Sequence, residues 1–410
     1  MYLTKKIEKA SNKNCVVDEM LKLGCLHEMH GDFSKAEEVY ANLLLVANTH
    51  KNNGAMAAVY VNMGCLYDTL RRLDDAMTMY QMAASLFRRL TGEDTKEMAM
   101  VLSNMALLHG SRREYDDALT LMEKVVAIHV QIEGPESEEV AKAMTNCSRM
   151  YVMKNNPESA LALQEKANCI MRKIKWGGMD AGTQLCSGLN NEADILFMTG
   201  KVEEALPKLQ EALTVCKATH SIKKHPSAGY IFRRISRVYH KLGQRDNAFD
   251  SLYKAYKVFE RAFGHDHHDV SRCLQGLALL ESEKGGEEGM KRATKYMKCA
   301  LKIMNQIGDR IEADGGSFGG MDYEAHACEV ASILHSTGAI MATTLQLDES
   351  IGYLQRAREI YTDLGEKFAV ELKEVVDLIG LVEKGNESID VALKVKDMIT
   401  GRVEGGVVAD

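Results

Sequence analysis

Apolar side chains recur at spacings of three and four through most of the chain, the signature of amphipathic helices, and short polar clusters such as HGDFSK and MTGKVE break the pattern at regular intervals. The breaks hide a longer order. The segments KAEEVYANLL, DAMTMYQMAA, DALTLMEKVV, SALALQEKAN, EALPKLQEAL, NAFDSLYKAY, RATKYMKCAL and ESIGYLQRAR align without gaps. Near the start of each stands a small residue: Ala36, Ala76, Ala118, Ala160, Ala205, Ala248, Ala293 and Ser350, separated by 40, 42, 42, 45, 43, 45 and 57. Four residues on come Tyr40, Tyr80, Met122, Gln164, Leu209, Leu252, Met297 and Leu354, and seven on come Leu43, Ala83, Val125, Ala167, Ala212, Ala255, Ala300 and Ala357. Offsets of zero, four and seven share one helix face.

A second small position precedes the first, occupied by Gly24, Gly64, Ala106, Ser148, Ala193, Ser236, Ala278 and Gly338. It lies 12 residues upstream in seven units and 15 upstream in the seventh, where SEKGGEEG lengthens the turn. Small residues at both positions let two helix backbones approach closely, so each unit is predicted to be a hairpin of helix A and helix B. Gly92, Gly134 and Gly264 lie 16 residues after Ala76, Ala118 and Ala248, with Asn52 in the matching place of the first unit. All four are expected to cap a helix end in a left-handed conformation.

This register resembles the tetratricopeptide repeat, with its small residues at the eighth and twentieth positions and a Tyr-like residue at the eleventh (Tyr67, Tyr151, Tyr239). The spacing near 42 and the joints TGEDTKEMA, EGPESEEVA and FGHDHHDVS resemble the kinesin light chain type of that repeat. The heptad coiled coil through which a kinesin light chain joins its heavy chain does not occur in the sequence, so the likeness concerns the repeat and not the motor. The resemblance implies an all-α, right-handed solenoid of about eight repeats over residues 15–365, with helices A lining a concave groove. Residues 1–14 are expected to form an N-terminal helical extension, 366–400 two capping helices, and 401–410 a mobile tail. The stretches 174–185, with the single tryptophan at 176, and 309–322 interrupt the stack.

Composition narrows the function. Lys+Arg 51 against Asp+Glu 58 gives a net charge of −7, which argues against a general nucleic-acid binder. No apolar run suffices for a membrane span. Ten cysteines without a C-x-x-C pair, several in apolar helical stretches such as Cys299, read as buried free thiols. With no secretory signal in MYLTKKIEKA, the expected location is the cytoplasm, or an organelle after removal of a transit peptide. The 24 methionines fall mostly in apolar stripes and read as core filler.

Two patterns bear on binding. Asn62, Asn104, Asn146 and Asn191 each stand two residues before the small residue of helix A. An amide there can hold the backbone of an extended peptide from both sides, the role the light-chain resemblance implies. The alternative is a hydrogen bond to a neighbouring helix. Arg233, Arg234, Arg237 and Lys241 share a face of the sixth helix A, and Lys142, Arg149 and Arg272 hold comparable places. Such a wall suits carboxylates, unless it is paired internally. GHDHHDVS occupies the place of a joint, so it is expected to be a loop and not a zinc site. The match of residues 315–319 to G-x-S-x-G lacks a strand–helix context. No nucleophile with an identifiable base, no P-loop and no cofactor motif occurs. The expected protein is no enzyme. It is a scaffold or adaptor that takes an extended, acidic peptide, or alternatively a constitutive subunit or assembly factor of a large complex. Its partners are other proteins, with no nucleic acid, membrane insertion, metal, cofactor or small-molecule substrate.

Overall fold

A computed structural model describes residues 13–174, 179–219, 225–313, 317–318, 321–344 and 346–384. The first twelve residues, the tryptophan, most of the G-x-S-x-G stretch, the second capping helix and the tail lie outside them. The described chain is all-α apart from one antiparallel pair of two-residue strands, Ser317–Phe318 and Met321–Asp322. It divides after Thr199 into two compact units.

The first unit holds hairpin one, α1 (Lys13–Met29) and α2 (Phe33–Thr49); hairpin two, α3 (Asn53–Thr69) and α4 (Leu73–Leu90); hairpin three, α5 (Lys96–Ser111) and α6 (Tyr115–Glu133); and hairpin four, α7 (Glu138–Met153) and α8 (Pro157–Lys173). Helix α9 (Met179–Met198) follows and packs on α8. The second unit opens with α10 (Val202–Thr219). Hairpin six is α11 (Pro226–Lys241) and α12 (Arg245–Phe263), hairpin seven α13 (His268–Lys284) and α14 (Gly286–Ala313), and hairpin eight α15 (Tyr323–Thr343) and α16 (Leu347–Leu364). A 3-10 turn (Glu366–Phe368) leads to α17 (Ala369–Lys384), which packs on α16 and buries Val375, Leu378, Ile379 and Val382.

All sixteen small positions are buried. Their chemistry decides what crosses them. A Cβ built on Gly24 would lie 2.3 Å from the Tyr40 ring, and one on Gly64 2.5 Å from the Tyr80 ring. Where serine is used, its hydroxyl bridges the crossing. Ser148 donates to the Ala160 carbonyl, Ser236 to that of Ala248, and Ser350 to that of Gly338, each at 2.8 Å. The hydroxyl thus spends its polarity on the backbone carbonyl it approaches, and the seam stays satisfied.

The A-to-B turns share one geometry. The residue seven places after the small residue of helix A has positive φ: Gly31 (77°), Arg71 (59°), Arg113 (63°), Asn155 (61°), Gly200 (78°), Gly243 (73°) and Gly285 (71°). In hairpins one to four and in hairpin six the next amide bonds five residues back, for example Arg72 to the Tyr67 carbonyl at 2.8 Å, the closing bond of a Schellman turn. Glycine suits that conformation, and Arg71 and Arg113 adopt it at a steric cost.

The B-to-A joints correct one expectation. Gly134 and Gly264 do cap helix B with positive φ, but their ψ values of 163° and 178° turn the chain out extended and not left-handed helical. Asn52 ends no helix. It is the N-cap of α3, its side chain accepting the Ala55 amide at 3.0 Å, and Lys51 takes the positive φ (52°) in its place. The joint between hairpins one and two is one short turn, so a single residue must leave one helix and start the next.

Two substitutions separate these effects. Gly64→Ala forces a methyl against the Tyr80 ring and is expected to cost about 1–3 kcal/mol in urea unfolding. Arg113→Gly removes backbone strain and is expected to leave stability unchanged or raise it by up to about 1 kcal/mol.

Candidate functional site

The asparagine register runs along the A helices of the first unit, and all four side chains are half-buried. The fold uses two of them. Asn62 donates to the Ala58 carbonyl of its own helix at 2.9 Å, and its oxygen lies 4.0 Å from the Cys25 thiol. The Asn104 amide points at the Cys65 sulfur at 3.8 Å. Cys25 and Cys65 each follow the glycine of a crossing, so a thiol of one hairpin meets the amide of the next. Tyr80 donates to the same Cys65 sulfur at 3.4 Å, while Tyr40 donates to Glu28 at 2.5 Å. Burial pushes both phenols above their ordinary range. Asn146 and Asn191 make no side-chain hydrogen bond among the described residues.

Beside that last pair lies a buried polar chain that sequence reasoning missed. The Gln164 amide donates to the Thr145 hydroxyl at 3.3 Å and to the Asn168 oxygen at 3.2 Å, and the Asn168 amide donates to Glu192 at 2.7 Å. Gln164, Asn168 and Glu192 are all fully buried. Gly188 makes room for them, since a Cβ there would lie 2.1 Å from the Asn168 oxygen. The available signal was Gln164 itself, a polar residue at a position that Tyr, Met or Leu fills in the other hairpins.

The basic face is compensated from within. Lys142 pairs with Glu138 at 2.8 Å and Glu139 at 3.1 Å on its own helix. Arg233 of α11 reaches Asp269 of α13 at 3.3 Å and lies over the Tyr230 ring, whose hydroxyl donates to the same carboxylate at 2.8 Å. That arginine side chain is 12% exposed and the aspartate 2%. Burial, and then the bond to Asp269, push the Tyr230 phenol up to about 12. Arg272 and Gln275 of α13 both reach Glu329 of α15 at 3.3 Å. Burial raises the Glu329 carboxyl above its ordinary range against the pull of Arg272. His240 holds Glu283 at 2.9 Å, with Arg245 at 3.3 Å. Arg234 and Arg237 are half-buried and engaged with neighbours, while Arg149 and Lys241 are exposed. The expected wall of guest-facing cations is therefore corrected. Arg233 and Arg272 are seam residues, because the topology brings Asp269 and Glu329 to them from 36 and 57 residues away.

The histidine run forms a joint, as its place in the register requires. His267 is the N-cap of α13, its Nδ1 accepting the Asp269 amide at 3.2 Å. Its ring stacks on Phe263 (centroids 4.0 Å apart) and meets the His268 ring at a tilt of 32° (4.2 Å). Donor atoms of His267, His268 and Asp269 lie within 4.8 Å of one another. The amide bond to His267 and the Tyr230 and Arg233 bonds to Asp269 already occupy that set, and a guanidinium beside it repels a cation. The arrangement is an ion-paired seam. Cys147, Cys186, Cys216 and Cys273 are buried free thiols, and burial pushes Cys147 and Cys273 up to about 12. Cys299, expected inside, is exposed, as are Cys25 and Cys169, and Cys65 and Cys328 are half-buried. No described helix is long and apolar enough to cross a membrane.

Arg233→Ala should strand the Asp269 charge and cost about 3–5 kcal/mol of the second unit's stability. Lys241→Ala should stay within about 0.5 kcal/mol. Chemical denaturation followed by circular dichroism measures both.

Comparison with known proteins agrees with this architecture. Models described as tetratricopeptide repeat match residues 97–168, 227–306 and 56–95. The apo form of RapI superposes with a TM-score of 0.57, covering 96% of this chain and 100% of that one at 15% identity, a likeness of fold. A putative kinesin light chain from Podosopora anserina with nearly identical TPR-like repeats is 17% identical over 49% of this chain and 93% of that one, with a TM-score of 0.43. Among curated proteins, a clustered mitochondria protein homolog of Kluyveromyces lactis is 29% identical over 108 residues, 25% of this chain. The chain spans 8% of that relative's length. With the buried small positions and the shared turn, the matched models make residues 56–95, 97–168 and 227–306 tetratricopeptide repeats.

Proposed function

We propose that the protein is a non-catalytic interaction scaffold that binds an extended, acidic segment of another protein along its A helices. The repeat fold is one typical of such scaffolds. The observation that carries the reading is the unequal use of the asparagine register. Asn62 and Asn104 are tied into the fold, whereas Asn146 and Asn191 hold half-exposed amides with their hydrogen-bonding capacity unspent. A peptide group offers one donor and one acceptor, which is what a carboxamide complements. Exposed Arg149 lies one helical turn from Asn146, so an acidic side chain on the guest finds a partner beside that backbone contact. In the second unit Lys241 is exposed on the corresponding helix face. The buried free thiols support a reducing compartment such as the cytoplasm. A constitutive role in a large complex draws support from exposed apolar residues of helices B, Leu45 at 64% and Met82 at 43%.

Fluorescence anisotropy with labelled Glu-rich peptides tests the primary reading. Affinity should fall as salt rises. Asn146→Ala combined with Arg149→Glu should weaken binding by more than about tenfold, the loss of roughly 1.4 kcal/mol or more. Unchanged affinity in that variant rejects the mechanism. Elution of the native protein as a stable high-mass species would favour the constitutive role.

A further inference from the structure

The seam between hairpins six and seven contains His267 and His268, the one pair of adjacent histidines in the sequence. The His267 and His268 rings lie against each other at a 32° tilt, with Phe263 stacked on the far side of His267. Asp269 follows directly, and its Oδ2 stands 3.7 Å from a nitrogen of each histidine. The same carboxylate takes the Tyr230 hydroxyl and the Arg233 guanidinium, the polar bonds that fasten α11 to the start of α13.

The charges facing the stack balance only while both rings are neutral. From α11 come Arg233 and the un-ionised Tyr230; from α13, Asp269, Arg272 and the buried Cys273 thiol; and from α15, Glu329. Two guanidiniums thus face two carboxylates. The flanking groups are paired elsewhere. Glu260 of α12 is held by Tyr256, Lys257 and His265, and Asp266 of the joint by Arg310 of α14. Two imidazoliums would place four cations against two carboxylates, two of them with ring centroids 4.2 Å apart. Asp269 would then have to divide itself among four partners, Tyr230, Arg233 and the two imidazoliums.

We propose that the His267–His268 stack is a proton-operated latch on this seam: with both rings neutral Asp269 holds Tyr230 and Arg233 and the seam is shut, and with the rings protonated α11 and the first turns of α13 come apart. The inference does not depend on what the protein binds. Burial, the leading cause, holds both imidazoles below their ordinary value of 6.5, with Asp269 opposing. A group held below its ordinary value favours the neutral form in the closed seam. The stability it confers is therefore complete above about pH 6.5 and is lost as the pH falls through that value toward the lowered one.

Amide hydrogen exchange of the full chain, corrected for the intrinsic rate, reads the latch directly. Between about pH 7.5 and about pH 5.5, one unit below the ordinary imidazole value, protection over residues 226–241 and 268–275 should fall by up to about tenfold per ring. Protection in α3 and α4 should not change. The variant His267→Asn with His268→Gln keeps an N-cap acceptor and removes both titrations. Its protection should stay within about threefold over the same range. Equal loosening in the variant, or no loosening in the natural chain, overturns the proposal. If the variant lacks helix by circular dichroism, ring titrations of the natural chain by NMR decide. Midpoints below about 6.5 for both rings support the latch, and midpoints at or above it sink it.

Discussion

Two helix backbones come close only where neither carries more than a methyl or a hydroxymethyl group, and the position of that crossing sets everything else in each hairpin. Once Gly64 lies under Tyr80, the next residue, Cys65, is placed beneath the tyrosine hydroxyl, and the residue seven on must turn the chain back with positive φ. The side chain accepted on the far helix follows from the small residue chosen. Glycine admits a large side chain, the Tyr40 and Tyr80 rings at Gly24 and Gly64 and Leu354 at Gly338, while serine supplies a hydrogen bond that pins the crossing to one carbonyl. The register is thus a steric constraint first and a pattern of residues second.

Between hairpins the two units use different physics. In the first unit, hairpins one to three meet through a continuous apolar core, with thiol–amide contacts at its margin. These contacts are weak and tolerant in geometry, so packing carries the joints. In the second unit an equally continuous core runs from Ala248 to Val382, yet Asp269, Glu283 and Glu329 are buried beside it with their cations. A buried ion pair contributes little net stability against apolar residues of the same shape, but half of one is strongly destabilising. Such a joint adds selectivity more than strength.

The fold was legible because the period is carried by residues whose role is steric. Small residues at both crossing positions leave few other packings, and the eight-hairpin register and the seventh unit's longer turn follow from them. What the sequence obscured was polar pairing at a distance. Arg233 and Arg272 read as guest-facing because their partners are 36 and 57 residues away and lie on helices read for their apolar stripes. Asn52 failed as a C-cap because the joint has room for one left-handed residue only, and Lys51 takes it. Gln164 and Asn168 escaped notice because one register position varies freely until its neighbours are known. The asparagine ladder was visible as a spacing, but the division between Asn62 and Asn104 on one side and Asn146 and Asn191 on the other depends on cysteines present in only two hairpins.

The difference between the joints limits how such an array can grow. A second copy of hairpin two, inserted after itself, would keep both of its contacts, since each copy brings the Asn that its predecessor's Cys expects and the Cys that its successor's Asn expects. A second copy of hairpin seven would not fit. The new α13 would bring another Asp269 with no Tyr230 or Arg233 before it, and the old one would face no Glu329. Gene duplication can therefore lengthen the chain near its beginning at small cost, whereas near its end each hairpin is committed to the neighbours it has.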